Sequence, residues 1–354
     1  MKKPLKFFLI LILLVVLAVA GCFVYVKQLS MPVAKGEFQK DVRVEIPYGF
    51  SVYNVSKLLK EQNLVRSDKL FYYCARYPQI KKVLYPSAES YSFNLKSGIY
   101  HIRDNMDICE IQQLLSSGQQ EYIKLSVPEG YTISKIAEML EEKGICELKD
   151  FVQVCKSPEI CKKYNIPGDN CEGYLFPDTY FLTSGMTAFD IACLMIDNFF
   201  EKIKSVSGLS EKNSEDLYYI VRLASIVERE YRVEEEAPLI ASVFKNRLRN
   251  NIGLYSCATI VYILTEIEGR PHPDRILISD TKIDNPYNTY KWAGLPPGAI
   301  SNPGLVALNA ATNTPKTDYY FFQVADADAG RHVFTKSFDE HVDNHNLVTK
   351  KVSK

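Results

Sequence analysis

The chain has 354 residues, 47% of them hydrophobic and 12% aromatic, enough for two or more cored domains. Lys and Arg total 42 and Asp and Glu total 42, so the formal net charge is zero. That balance argues against a nucleic-acid partner, which needs a clustered basic excess. The 23 tyrosines suit a polar, flat-faced ligand such as a sugar, although many of them must serve cores.

Lys2, Lys3 and Lys6 precede Phe7–Val26, twenty residues without a charge. Such a run crosses the hydrocarbon layer as one helix, and its positive flank is expected to stay cytoplasmic. Everything after Lys27 then lies outside. A lipoprotein is the alternative, with Val19-Ala-Gly-Cys22 as a cleavage box and Cys22 as the lipid anchor. The apolar run continues through Phe23-Val-Tyr-Val26, which favours an uncleaved span. Residues 1–27 therefore read as tip and span, and residues 28–41 as a linker.

A repeat follows. Pro47-Tyr-Gly-Phe-Ser-Val52 recurs as Pro128-Glu-Gly-Tyr-Thr-Ile133. At the same offset, Val55, Leu58, Leu59, Glu61 and Leu64 match Ile136, Met139, Leu140, Glu142 and Ile145. A weaker copy runs through Asp107, Ile108, Ile111, Leu114 and Leu115. Each copy predicts a strand, a glycine turn, a Ser, Thr or Asp cap and an amphipathic helix. Alternating Val42, Val44 and Ile46 supply a strand before the first copy. This β-α region is expected over residues 42–149.

From about Asp150 the texture changes, and a domain over residues 150–354 is expected. Helices are predicted over Thr187–Val206, Ser214–Arg229 and Glu235–Asn250. Residues 251–304, rich in Pro, Gly, Asn and Tyr, predict ordered loops. Asn302-Pro303 reads as a helix cap followed by proline in the first turn, and Tyr319–Val324 and His332–Thr335 as two strands joined by a turn over Asp326–Arg331. Eight cysteines follow Cys22 without metal-type spacing. Cys155, Cys161 and Cys171 are close in sequence, but no pairing is deducible, and buried small hydrophobes are the plainer reading.

Glu228 follows Leu223, Ile226 and Val227 on a predicted helix, which sets it near the core boundary. Partial burial raises a carboxyl's pKa and suits it to general acid work; the plainer alternative is a solvated helix end. Glu230 and Glu234–Glu236 read as such a solvated end. The string Glu172–Tyr180 either lines a sugar cleft or forms a structural turn capped by Asp178. Tyr287, Asn288 and Tyr290 either contact a ligand or satisfy loop backbone. Leu295-Pro-Pro-Gly298 fixes a loop whose shape must matter. No dinucleotide loop, Walker loop, His-Glu-x-x-His or Gly-x-Ser-x-Gly elbow is present. His341 and His345 are four apart, but they sit near a polar C-terminus and no metal is expected there.

The chain resembles the YceG-like family of endolytic murein transglycosylases from about Val42 to about His345. The similarity is carried by Glu172–Tyr180, Ala224-Ser-Ile-Val-Glu228, Ala241-Ser-Val-Phe-Lys-Asn-Arg-Leu248, Tyr287-Asn-Thr-Tyr290 and Gly294–Gly304. The resemblance implies an α+β protein with an N-terminal transmembrane helix, a LysM-like β-α repeat region and a mixed α/β catalytic domain. It implies a single-pass protein of the bacterial inner membrane, acting extracytoplasmically on nascent peptidoglycan strands without metal or organic cofactor. Peptidoglycan synthases are its candidate partners. Glu228 occupies the family's catalytic position. Glu172, Tyr174, Tyr255, Ser256, Tyr287, Asn288, Tyr290 and Pro297 are the expected substrate contacts. In Leu254-Tyr-Ser-Cys-Ala-Thr259, Tyr255 and Cys257 stand where the family often has Gln and Asp, so Glu228 has no second acid at this point. Two rival readings remain: a non-catalytic peptidoglycan-binding membrane protein, and a muramidase with Glu172 or Asp178 as second carboxylate.

Overall fold

The computed structural model describes residues 3–37, 40–47, 49–88, 90–118, 121–183, 186–326 and 328–344. The chain divides into one unit of Met1–Ile123 with Phe181–Met186, and a second of Lys124–Tyr180 with Thr187–Lys354. The division falls ahead of the Pro128–Ile133 copy, which therefore belongs to the second unit. The class is mixed α and β.

In the first unit, α1 (Lys3–Ser30) contains the apolar stretch Ile10–Ser30, 21 residues long and enough to cross a membrane. The segment expected as a linker starts inside this helix and is held down. Val26 and Leu29 pack on the core of the unit, and Ser30 is fully buried. The Tyr85 hydroxyl donates to the Ser30 carbonyl (2.7 Å), Arg66 donates to the carbonyls of Pro32 and Val33 (2.9 and 3.2 Å), and the Ala34 N–H donates to the Asp104 carbonyl (2.9 Å). Beyond it, β1 (Asp41–Ile46) pairs antiparallel with β2 (Gly98–Arg103), Val44 facing Tyr100. Between these strands lie α2 (Val52–Glu61), α3 (Asp68–Arg76) and α4 (Pro78–Leu84), and α5 (Ile108–Ser117) follows them. Val44 and Ile46 alternate inward and meet Val55, Leu59, Phe71 and Ile111 in one core.

The chain enters the second unit along β3 (Ile123–Ser126), which pairs with β4 (Thr179–Leu182). Then come α6 (Ile133–Glu142), α7 (Leu148–Cys155), α8 (Pro158–Tyr164), α9 (Ala188–Lys202), α10 (Ser214–Val227), α11 (Ala237–Arg249), α12 (Cys257–Tyr262) and α13 (Leu305–Thr312). A hairpin of β5 (Phe321–Asp326) and β6 (Arg331–Thr335) ends the described fold. Ser51, Asp107 and Thr132 cap α2, α5 and α6 as their positions in the repeat require, each accepting the N–H three residues on. The three long helices fall where their apolar periodicity put them.

One end differs from expectation. Helix α13 starts at Leu305 with Gly304 as its cap residue, and the Asn302 side chain does not cap it. Asn302 is fully buried, and its amide serves other segments, described below. All nine cysteines are free thiols, five of them buried, in keeping with small core residues.

Candidate active site

The site is assembled along one face of α10. Tyr218, Arg222 and Ser225 recur at intervals of four and three residues, so they share a face. Tyr218 donates to the Pro297 carbonyl (2.8 Å) and Arg222 to the Pro296 carbonyl (3.1 Å). Ser225 Oγ accepts the Ile300 N–H, and Ser301 Oγ donates to the Ser225 carbonyl (both 3.0 Å). This polar stripe seats the proline loop on the helix, and the loop then delivers Gly304 to the helix end. There Glu228, the C-terminal cap residue of α10, accepts the Gly304 N–H on Oε2 (2.9 Å) and the Tyr231 hydroxyl on Oε1 (3.1 Å).

Glu228 is half-buried, behind a turn whose residues Leu223–Val227 are all buried. Burial is the largest influence on its carboxyl and raises its pKa to about 7; the Gly304 N–H pulls the other way, and Glu129 adds to the rise. The negative end of the α10 dipole acts in the same upward sense. A carboxyl that titrates near neutrality can give up a proton and recover it within one catalytic cycle.

Glu172 is fully enclosed, only 3% exposed. Its carboxyl accepts the Ile133 N–H at the head of α6 (3.1 and 3.2 Å) and the Asn302 amide (2.8 Å). Burial, only partly offset by those donors, lifts its pKa to about 8. Asn302 is the hub: its Oδ1 accepts the N–H groups of Gly173 and Leu175 (2.8 and 2.9 Å), and its amide also reaches the Tyr131 carbonyl (2.9 Å). Its backbone exchanges two further bonds with Gly130 and Tyr131, each 2.9 Å. Gly173, at φ +91°, lies so close to Val221 and Ala299 that a Cβ would collide with both. Three loops distant in sequence are thereby locked beneath Glu228.

The expected contact residues divide. Glu172, Tyr174 and Asn288 are closed off, the last donating to the carbonyls of Thr281 and Ile283 (3.0 and 2.8 Å) and accepting the Tyr290 N–H (2.9 Å). Glu172 and Asn288 spend their polar atoms on buried backbone and on Asn302, and the Tyr174 ring packs on Phe199 and Phe200, which are the contacts of framework residues. Tyr255 and Pro297 are exposed, and Tyr287 and Tyr290 half-buried. Tyr255 and Ser256 line a cavity of about 600 Å³ with Arg247, Phe322, Gln323 and His332. The acid in that cavity is Glu230, which accepts the Ser256 hydroxyl; burial raises its pKa to about 6. The solvated reading of Glu230 is therefore corrected: α10 has ended at Val227, and the chain turns Glu230 inward. Glu236 is corrected likewise, being buried and holding the His332 N–H and ring Nδ1, the latter at 2.8 Å, while Glu234 and Glu235 remain exposed. Tyr290 touches this second cluster through Cys257 (3.0 Å) and Tyr255 (ring centroids 5.6 Å apart). Asp178 is ion-paired to Lys202 at 2.8 Å; burial pulls its pKa up, but Lys202, Asn198 and the Thr179 N–H prevail and hold it below the ordinary value. His345 lies outside the described residues, and among those described no group of three His, Cys, Asp or Glu could hold a metal.

Sequence reasoning missed Asn302 as a framework residue and Glu129 as a neighbour of the acid. The signal for the second was present: Glu129 occupies the one position of the repeated turn that changes from Tyr48 to an acid.

A carboxyl that titrates near neutrality, fixed at a helix end against a rigid loop, has the properties a general acid–base group needs. A profile of the YceG-like family matches residues 44–347. A Bacillus subtilis (strain 168) protein named endolytic murein transglycosylase is 32% identical over 344 residues, which are 92% of this chain and 89% of its own. A protein of the same name from Streptococcus pneumoniae serotype 2 (strain D39 / NCTC 7466) is 28% identical over 94% of this chain and 63% of its own, longer sequence. A crystal structure of a yceG-like protein from Listeria monocytogenes matches with a TM-score of 0.56 at 28% identity, over 86% of this chain and 99% of that one. The chain belongs to the YceG-like family.

Proposed function

We propose that the protein is a membrane-anchored endolytic lytic transglycosylase of peptidoglycan. It cuts the β-1,4 bond from N-acetylmuramic acid to N-acetylglucosamine within nascent strands, leaves 1,6-anhydromuramic ends and so terminates elongation. The observation that carries this reading is Glu228, with its pKa near 7 between the Gly304 N–H and the Tyr231 hydroxyl. Protonated Glu228 gives its proton to the glycosidic oxygen. As a carboxylate it then takes the proton of the muramyl 6-hydroxyl, which attacks C1 and closes the anhydro ring. The nucleophile is part of the substrate, so its high effective molarity stands in for an activated water. No metal or organic cofactor is needed for these steps.

Helix α1 is the anchor, spanning the inner membrane once through residues 7–26, with the catalytic unit outside. The order β1–α2–α3–α4–β2 with antiparallel strands supports a LysM-like, glycan-holding role for the first unit. Synthases of nascent strands are the partners such an enzyme would meet at the membrane. A two-carboxylate muramidase built on Glu172 or Asp178 is disfavoured, since one is enclosed by backbone donors and the other neutralised by Lys202.

Mass spectrometry of digested sacculi tests the reading. Anhydromuramic ends are expected from the wild-type chain. Folded Glu228→Gln should lose about two to four orders of magnitude in rate, as removal of a general acid–base group implies. Reducing ends, or near-normal turnover by the Gln variant, would refute it.

A further inference from the structure

Gly304 has φ −82° and ψ −178°, backbone that any residue adopts. Its side chain is nonetheless excluded, because the space a Cβ would fill is taken by the carboxyl of Glu129. The N–H of the same residue is bonded to Glu228 Oε2 at 2.9 Å. Two carboxyl groups therefore converge on one glycine, Glu228 on its nitrogen and Glu129 over its Cα. Glu129 is not there by drift. The next residue, Gly130, donates its N–H to the Asn302 carbonyl (2.9 Å), and the Asn302 N–H returns to the Tyr131 carbonyl (2.9 Å). A side chain on Gly130 would lie 3.4 Å from Arg229 Cδ and 3.6 Å from Glu228 Cγ, so the turn rests against the acid itself. Among the described residues the Glu129 side chain makes no hydrogen bond, and it is partly open to solvent with its carboxyl tucked over Gly304.

We propose that Glu129 is a positioning residue of this site: held over Gly304, its negative charge keeps the neighbouring Glu228 in the protonated form that the first proton transfer requires. The inference rests on Glu228 being the acid of the reading above. Like charges at close range oppose each other's ionisation. The groups facing Glu228 are the Gly304 N–H and the Tyr231 hydroxyl, which favour its carboxylate, Arg229, which does the same by charge, and Glu129, which opposes it. Glu129 is itself raised by burial and then by Glu234. Of the charged groups around the acid, Glu129 thus pushes toward protonation.

The test uses the full chain in detergent. The carboxyl infrared band lost in Glu228→Gln is titrated in wild type, Glu129→Gln, Gly304→Ala and the double variant, and the pH profile of kcat/KM on peptidoglycan strands is recorded for each. Without the Glu129 charge the carboxylate of Glu228 forms more easily, so its midpoint and the alkaline limb should both move down by about half a pH unit. Gly304→Ala, by evicting Glu129, should produce a shift of the same sign, and the double variant no further shift. A folded Glu129→Gln whose Glu228 midpoint stays put overturns the proposal, as does a switch of its products to reducing ends. If the wild-type chain cleaves nothing, the functional reading falls, while the infrared midpoints still decide whether Glu129 governs Glu228.

Discussion

The two strong copies of the β-α repeat give the same local answer in two different settings. In both, a glycine at positive φ makes the turn, Gly49 at +82° and Gly130 at +75°. A hydroxyl then caps the helix, Ser51 accepting the Asn54 N–H at 3.2 Å and Thr132 the Lys135 N–H at 3.3 Å. Both helices also end alike: Asn63 and Gly144 turn left-handed, and Leu64 and Ile145 bond back to the carbonyls of Leu59 and Leu140 at 2.8 and 2.9 Å. The surroundings differ. A side chain on Gly49 would meet nothing within 4 Å, whereas one on Gly130 would meet Arg229 and Glu228. In the second copy the head of α6 is also held from afar, by Glu172 and through it by Asn302. The comparison teaches that the turn and helix are generic parts, and that one copy is set apart by what packs against it, Glu228 and Arg229.

The comparison is broken most severely at Asn302. Replacing it by Ala leaves the N–H groups of Gly173 and Leu175 without their buried acceptor and takes one donor from Glu172 Oε1, which keeps the Ile133 N–H. A loss of about 4 kcal/mol is expected for the second unit, with the first unit unaffected, as followed by denaturant unfolding with a probe in each unit. Equal destabilisation of both units would contradict the separation.

Next in size is a pH effect confined to the second unit. Glu172 titrates at about 8 in the fold against an ordinary 4.5. The folded state therefore holds a proton that the unfolded chain releases, so this stability is complete below pH 4.5 and is lost as pH rises through 8. Stability of the second unit should fall by on the order of 3 kcal/mol from pH 5 to pH 8 on account of this group. Glu172→Gln should flatten that slope while leaving the acid–base chemistry of Glu228 in place. An unchanged slope would mean that Glu172 is not enclosed in solution.

The smallest effects sharpen the contrast between the copies. Ser51→Ala and Thr132→Ala should each cost about 1 kcal/mol, the usual price of a lost N-cap. Cleavage should be unchanged in the first and reduced several-fold in the second, because only α6 carries the turn that bears Glu129. Equal activity losses at matched stability would show that the two copies are functionally alike.

Much of this was legible because it is local. Alternation along Val42, Val44 and Ile46, the hydroxyl caps and the three helices of the second unit follow from short-range periodicity, which backbone geometry imposes on any chain. The half-buried place of Glu228 was legible because Leu223–Val227 mark a buried helix turn immediately before it, while a role for it came only from the family resemblance. The neighbouring acids were not. Helical geometry sent Glu230 away from the core, yet the helix ends at Val227 and a turn brings Glu230 under Ser256. Asn302 read as a helix cap from its proline neighbour, but its amide finds stronger employment with Gly173, Leu175 and Glu172, from 127 to 130 residues away.

By itself, then, the sequence determined the elements, their caps, the apolar span and the position of one helix-terminal acid, since each depends on neighbours within a few residues. Tertiary structure alone decided which carboxyls are enclosed, which remain open and which face one another. Desolvation and charge proximity depend on atoms brought together across the chain. That is why Glu172, bright in the sequence as a motif residue, is enclosed, and Glu129, unremarked in a repeated turn, stands over Gly304 beside Glu228.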